Sequence, residues 1–207
     1  MKKIRLLYLV ILALCVTLLG CDCKGKEEKF YLPTEAEITA ALGDNYSMKL
    51  EHISKVDTFQ TDYVVTSEGY YGSFKSYLTE TTVLDSFAYL YLKDANELYF
   101  GTEKGLTVRL PEEEGFGNGM DYLAYFAGME AVKLQDATVE GRECVKYQII
   151  TESDYEFVCY IDNQTKACIR CVANSTSSSY EWTIGDLKIG GQSLEEYKSL
   201  IKIGENK

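Results

Sequence analysis

The sequence predicts an α+β fold, with a strongly curved antiparallel sheet carrying short helices on one face. Three observations predict it. Tyrosine is abundant, at 17 of 207 residues, against two prolines, and Tyr and Thr recur in short alternating runs that suit strands. Two segments have the S/T-x-x-E form of a helix start. The C-terminal third reads as strands joined by short polar turns, the pattern of a meander. Runs of strands with separate helices make an α+β architecture.

The first twenty residues stand apart from that domain. Lys2, Lys3 and Arg5 precede an almost wholly apolar run, Leu6 to Leu19, which matches a secretory signal. The run is too short to span a membrane comfortably, since that takes about 20 apolar residues. Leu18-Leu19-Gly20-Cys21 resembles the lipobox of bacterial lipoproteins, with Leu19 bulkier than usual. The resemblance implies diacylglycerol on the Cys21 sulfur and cleavage after Gly20. Each buried methylene contributes about 0.8 kcal/mol, so two chains anchor firmly. Asp22 implies retention at the inner membrane in a Gram-negative cell. The expected location is the outer leaflet of the cytoplasmic membrane.

Residues 21–32 read as a lipidated tether and 33–207 as one domain. Losing residues 1–20 removes three of the 21 basic residues and none of the 32 acidic ones, leaving a formal charge of −14. That balance argues against nucleic acid, whose binding rests on phosphate neutralisation.

The elements follow in order. Thr34 with Glu37 has capping-box form and opens a helix over about 34–42, stopped at Gly43. From Tyr46 the period becomes two, with Tyr46, Met48 and Leu50 on one face. Strands are expected at 58–66, 70–79 and 82–92, the last apolar on both faces near its end, as in a strand covered on both sides. Turns precede ELYFGT and LTVRL. Residues 111–119 form a loop rich in Gly and charge, and Met120 to Met129 carries apolar residues near helical spacing. Strands over 143–151, 155–162, 167–175 and 180–189 complete the meander, and Ser193 with Glu196 opens a short final helix.

The segment 139–172 carries a further likeness. Gly141 with Tyr147, then Tyr160-Ile161-Asp162-Asn163-Gln164-Thr165-Lys166, then Ile169-Arg170 resemble the corresponding parts of the Lol-type lipoprotein-carrier superfamily, which includes LolA and LolB. Lys166 stands where Gly is commoner. The resemblance implies an unclosed half β-barrel around helices, with a cavity for acyl chains. Val145, Tyr147 and Ile149 with Tyr155, Phe157, Cys159 and Ile161 supply the continuous apolar face that such a sheet needs.

Catalytic motifs are sought without result. His52, the sole histidine, lies in a predicted strand with no nucleophile motif nearby. No H-E-x-x-H, P-loop or dinucleotide fingerprint occurs, and Glu112-Glu113-Glu114 reads as a solvated run. No enzyme activity, metal or other cofactor is expected.

Five cysteines follow Cys21: Cys23, Cys144, Cys159, Cys168 and Cys171. Cys168 and Cys171 on one strand point to opposite faces, which excludes shared zinc chelation. Export favours disulfides. A symmetric hairpin sets Cys159 opposite Cys168, within the roughly 4.5–5.5 Å that permits a bond. The apolar alternation instead sets Cys159 beside Cys171 and turns Cys168 outward. Both registers stay open, as do free buried thiols. Two functional classes follow: a carrier that takes an acyl chain, lipid or other apolar ligand in a cavity, or an interaction or sensor module with a filled core and a membrane-protein partner.

Overall fold

The structure, a computed structural model, describes residues 28–79, 82–110 and 116–203. The basic–apolar N-terminus, the Cys21 site, Cys23 and the Glu112–Glu114 run lie outside the described residues.

Twelve strands among the described residues form one antiparallel sheet. In chain order they are β1 (Lys29–Tyr31), β2 (Tyr46–Ser54), β3 (Thr58–Thr66), β4 (Gly69–Thr79), β5 (Thr82–Leu92), β6 (Glu97–Thr102) and β7 (Gly105–Leu110). Then come β8 (Glu130–Val139), β9 (Arg142–Ile149), β10 (Glu156–Asp162), β11 (Cys168–Asn174) and β12 (Ser179–Ile189). Their spatial order is β1-β8-β9-β10-β11-β12-β2-β3-β4-β5-β6-β7. Two meanders, β2–β7 and β8–β12, thus join through the β12–β2 pair, and β1 and β7 are the edges of an open sheet.

The fold is mostly β, which corrects the α+β expectation. The helices are α1 (Glu35–Leu42), α2 (Met120–Leu123) and α3 (Glu195–Lys198). α1 starts as the sequence requires: Glu37 N–H donates to Thr34 Oγ1 at 3.3 Å, and Thr34 N–H donates to Glu37 Oε2 at 2.8 Å. Gly43, at φ 72, ends it. The other two are single turns with no side-chain cap at the N-terminus, and they do not propagate. After Leu123 the chain continues in tight turns, with Ala127 N–H on Ala124 O and Met129 N–H on Phe126 O. One apolar turn is enough to place Leu123 and Phe126 in the core. Ser193 Oγ accepts from Glu195 N–H, but no reciprocal box forms at α3.

Two strands escape sequence reading. Lys29–Tyr31, inside the expected tether, pairs with β8 as β1. β8 itself, EAVKLQDATV, is an edge strand beyond Val132, and its exposed run lacks clean alternation.

The sheet buries both faces. On the inner face Tyr46, Met48 and Leu50 of β2 share a core with Trp182 and Ile184 of β12, Tyr63 and Val65 of β3, and Cys159 and Ile161 of β10. Ile38 and Leu42 of α1 cover it, with Leu32 from the segment before the helix, and Leu123 and Phe126 from α2 and its turns. On the outer face Val64, Tyr71, Ala88, Leu90 and Leu106 form a smaller cluster, closed by Leu194, Tyr197 and Leu200. The C-terminal segment is tied to β7 there: Leu106 N–H donates to Leu200 O, and Lys202 N–H to Leu106 O. β5 serves both clusters, with Tyr89 inward and Ala88 and Leu90 outward, as its two-sided apolar sequence requires.

Candidate apolar ligand face and its strap

Alternation puts every second side chain of each strand on the inner face. Beyond the core this yields a row of half-buried rings crossing the strands. Tyr180 of β12 stacks on His52 of β2 (5.6 Å between centroids), and His52 on Phe59 of β3 (4.4 Å, nearly parallel). The row continues through Phe74 of β4 (5.4 Å), Phe87 of β5 (4.9 Å) and Phe100 of β6 (5.5 Å). At its other end Tyr180 meets Tyr155, and Tyr155 meets Phe157 of β10, both at 5.8 Å. Such ring pairs add about 0.5–1.5 kcal/mol each beyond burial. His52 is thus a member of an aromatic stack. Asp57 lies 3.9 Å from it, and burial lowers its pKa.

A strap crosses this face. Residues Phe116–Gly119 lie over the sheet from β6 to β2. The Phe116 ring packs on Tyr89 (4.7 Å), Phe100 (5.4 Å) and Phe87 (6.0 Å). Three tyrosine hydroxyls then donate to three successive strap carbonyls: Tyr70 to Phe116 O (2.7 Å), Tyr89 to Gly117 O (2.8 Å) and Tyr46 to Asn118 O (3.5 Å). Burial raises the phenols of Tyr46 and Tyr63 to about 12 and that of Tyr89 as well, so these three stay neutral. Gly119 (φ 82) seats the strap: a Cβ there would lie 2.1 Å from Met48 Cε and 2.9 Å from the Tyr63 ring.

Cys159 lies opposite Tyr147, and Ile161 opposite Val145, so Val145, Tyr147, Ile149, Phe157, Cys159 and Ile161 share a side of β9–β10. Cys159, Ile149 and Ile161 are core, Tyr147 and Phe157 pack against it, and Tyr155 joins the aromatic row just before β10. Sequence reading missed the row's other half, in β2–β6, and the strap. The signal was present: His52, Phe59, Phe74, Phe87 and Phe100 each fall at the inward parity of a strand whose bounds were expected.

The cysteine register follows the apolar alternation: Cys159 lies opposite Cys171. A bulge after Tyr160 sets Ile161 opposite Cys168, so Cys168 is buried as well, not turned outward. Cys159 and Cys168, the pair drawn together by a symmetric hairpin, are free buried thiols, and Cys168 Sγ donates to Arg170 O at 3.4 Å. Burial pushes Cys171 up to about 12 and Cys144 to about 11. Thiols so placed are poor nucleophiles.

The turn after β10 is closed by Asp162, 2% exposed. Asp162 Oδ2 accepts from Arg142 Nη1 (3.1 Å), Thr165 N–H (2.9 Å) and Thr165 Oγ1 (2.6 Å). Arg142 also donates from Nη2 to Leu187 O, tying β9 to β12. Lys166 sits at φ 64, a left-handed position that suits glycine.

Grooves of 480 and 270 Å³ lie on the outer face, the larger lined by Lys49, Asp62 and Glu103 together with Val64, Tyr71 and Leu200, the smaller by Lys49, Glu51 and Asp186. One end of the sheet exposes apolar tips: Val56 (92%), Leu78 (69%) and Leu84 (69%). Among the described residues no helix is long and apolar enough to cross a membrane.

No protein-family model matches the chain, and no curated protein matches it. Among solved structures, the chain is similar to LprF from Mycobacterium bovis: 11% identity over 76% of this chain and 94% of that one, TM-score 0.49. It is similar to MucB at 9% identity over 78% of this chain and 58% of that one, TM-score 0.48. A LolA superfamily protein from Nitrosomonas europaea aligns at 9% identity over 82% of this chain and 98% of that one, TM-score 0.33.

Proposed function

We propose that this chain is an exported, non-enzymatic cell-envelope protein, anchored through lipid on Cys21, that holds an acyl chain or other apolar ligand on the inner face of a half-barrel sheet. The aromatic row from Phe157 to Phe100 carries this reading. It is continuous, aromatic and half-buried. Ligand sites are mostly apolar and aromatic, with a few placed polar groups, and the row with its flanking phenols has that make-up.

Two experiments test it. Native mass spectrometry and solvent extraction of the purified full chain are expected to find a bound lipid or fatty acid at near one-to-one ratio. A chain that emerges empty and binds no fluorescent fatty acid would end the ligand reading. Metabolic labelling with an alkynyl fatty acid is expected to tag the wild type and not Cys21→Ser; equal labelling would remove the anchor.

A second reading is favoured by the exposed tips Val56, Leu78 and Leu84. Apolar side chains gathered at one end suit a contact with a membrane-protein partner. Cross-linking in intact cells from position 78 would separate the two, since the carrier reading does not require a stable partner there.

A further inference from the structure

We propose that Cys159 and Cys171 are a redox site: in an oxidising compartment they join as a disulfide across β10 and β11, beside Trp182. The compartment rests on the export reading above, since disulfides form and persist where thiols are not kept reduced. The choice of partners does not depend on export.

The buried thiols among the described residues are Cys144, Cys159, Cys168 and Cys171, all free, and they are not equivalent. Cys144 Sγ donates to Arg142 O at 3.6 Å, and Cys168 Sγ to Arg170 O at 3.4 Å. Cys159 and Cys171 have no carbonyl acceptor among the described residues, and both are fully buried. They lie directly opposite each other. Opposite residues of antiparallel strands have Cα atoms about 4.5 or 5.5 Å apart. Both spacings fall within the roughly 4.4–6.8 Å that a disulfide spans. Cys168 is the competing partner, close enough to feel both sulfurs electrostatically. Its own opposite residue is Ile161, which makes it a diagonal neighbour of Cys159. Diagonal neighbours stand about 7–8 Å apart, outside the disulfide range. Rings flank the chosen pair, with Tyr147 of β9 opposite Cys159 and Trp182 of β12 opposite Cys171.

The bond forms by exchange with an external disulfide, that of a thiol–disulfide oxidoreductase or a small thiol. One cysteine thiolate attacks it, giving a mixed disulfide and releasing one thiol. The second thiolate then attacks the cysteine sulfur of the mixed disulfide, which closes Cys159–Cys171 and releases the other thiol. Two cysteine thiols lose two protons and two electrons, and the external disulfide gains them. The attacking species is the thiolate, which burial suppresses, so exchange precedes closure of the core. After closure the same burial shields the bond from reductants.

The test refolds the full wild-type chain, reduced and unfolded in urea, by dilution into reduced and oxidised glutathione. The product is quenched with acid, alkylated with N-ethylmaleimide in urea and digested with trypsin. Cleavage after Lys146, Lys166, Arg170 and Lys188 puts Cys159, Cys168 and Cys171 on separate peptides, so mass spectrometry reads the partners directly. The Cys159 peptide is expected to be linked to the Cys171 peptide, with Cys168 alkylated. A disulfide beside an indole quenches its emission, so Trp182 is expected to be dimmer in this product than in chain refolded with reductant. A link from Cys159 to any other cysteine, or alkylation of both Cys159 and Cys171, overturns the pair. Unchanged Trp182 emission overturns its placement beside the indole. Refolding takes place outside the cell, so a failure here is a failure of the pairing. Failure of the export and anchor reading shows separately, in the Cys21 labelling.

Discussion

The β10–β11 hairpin and the Phe116–Gly119 strap both fix irregular backbone against the same sheet, with opposite chemistry. The hairpin is held by one buried carboxylate that gathers a guanidinium, an N–H and a hydroxyl. Those donors come from β9 and the turn itself. The strap is held by neutral phenols on backbone carbonyls. Charge-assisted bonds are roughly twice as strong as neutral ones. The hairpin is therefore the firmer lock of the two.

The largest effect is expected from breaking the lock. Asp162→Ala leaves Arg142 without its carboxylate and strips Thr165 of its acceptor. Removing one partner of a buried pair typically costs about 3–5 kcal/mol. Urea unfolding monitored by Trp182 fluorescence checks it; a loss under about 1 kcal/mol would mean that water takes over the carboxylate's place.

Gly119→Ala probes the strap. The added methyl meets Met48 Cε and the Tyr63 ring, and the positive φ adds strain. Met48 is flexible, so overpacking of about 1–3 kcal/mol is expected. The comparison sharpens here: proteolytic cutting near residue 117 should rise in Gly119→Ala well before global unfolding, whereas Asp162→Ala should show cutting and unfolding together.

Much of this was legible in the chain because local chemistry decided it. β3 and β5 run over Thr58–Thr66 and Thr82–Leu92 as their alternation required, and the Thr34–Glu37 box formed in full. What escaped was decided at long range. β8 has no strong face of its own and is a strand because β9 offers it an edge. The β1 segment needs β8 first. The strap needs three tyrosines from three strands, and nothing near Phe116 announces them. Alternation alone turns Cys168 outward, because a bulge is invisible to a period-two count.

A smaller effect runs in the stabilising direction. Lys166 holds φ 64 in the lock's own turn, where a side chain's β-carbon crowds the following carbonyl. Lys166→Gly relieves that strain but frees the unfolded chain and loses the Lys166 Nζ bond to Asn163 O. A net gain of about 0.5 kcal/mol is expected in urea unfolding. No gain would show that the hairpin is held by Asp162 alone.

The smallest effect concerns the aromatic row. Burial between Phe59 and Tyr180 lowers the His52 pKa in the folded chain, and nearby Asp57 opposes that only partly. The unfolded chain then binds a proton at higher pH than the folded one does. Stability from neutral His52 is complete above its ordinary pKa of about 6.5. It falls as the pH drops below that value, until the folded histidine titrates too. His52→Phe keeps the stack and removes the titration, so the difference in stability between variant and wild type should widen from pH 7 to pH 5. His52 is only partly buried, which keeps the change small beside that of Asp162→Ala. A constant difference over that range would place His52 in water, and would mean that the row is open at its β2 member without any ligand present.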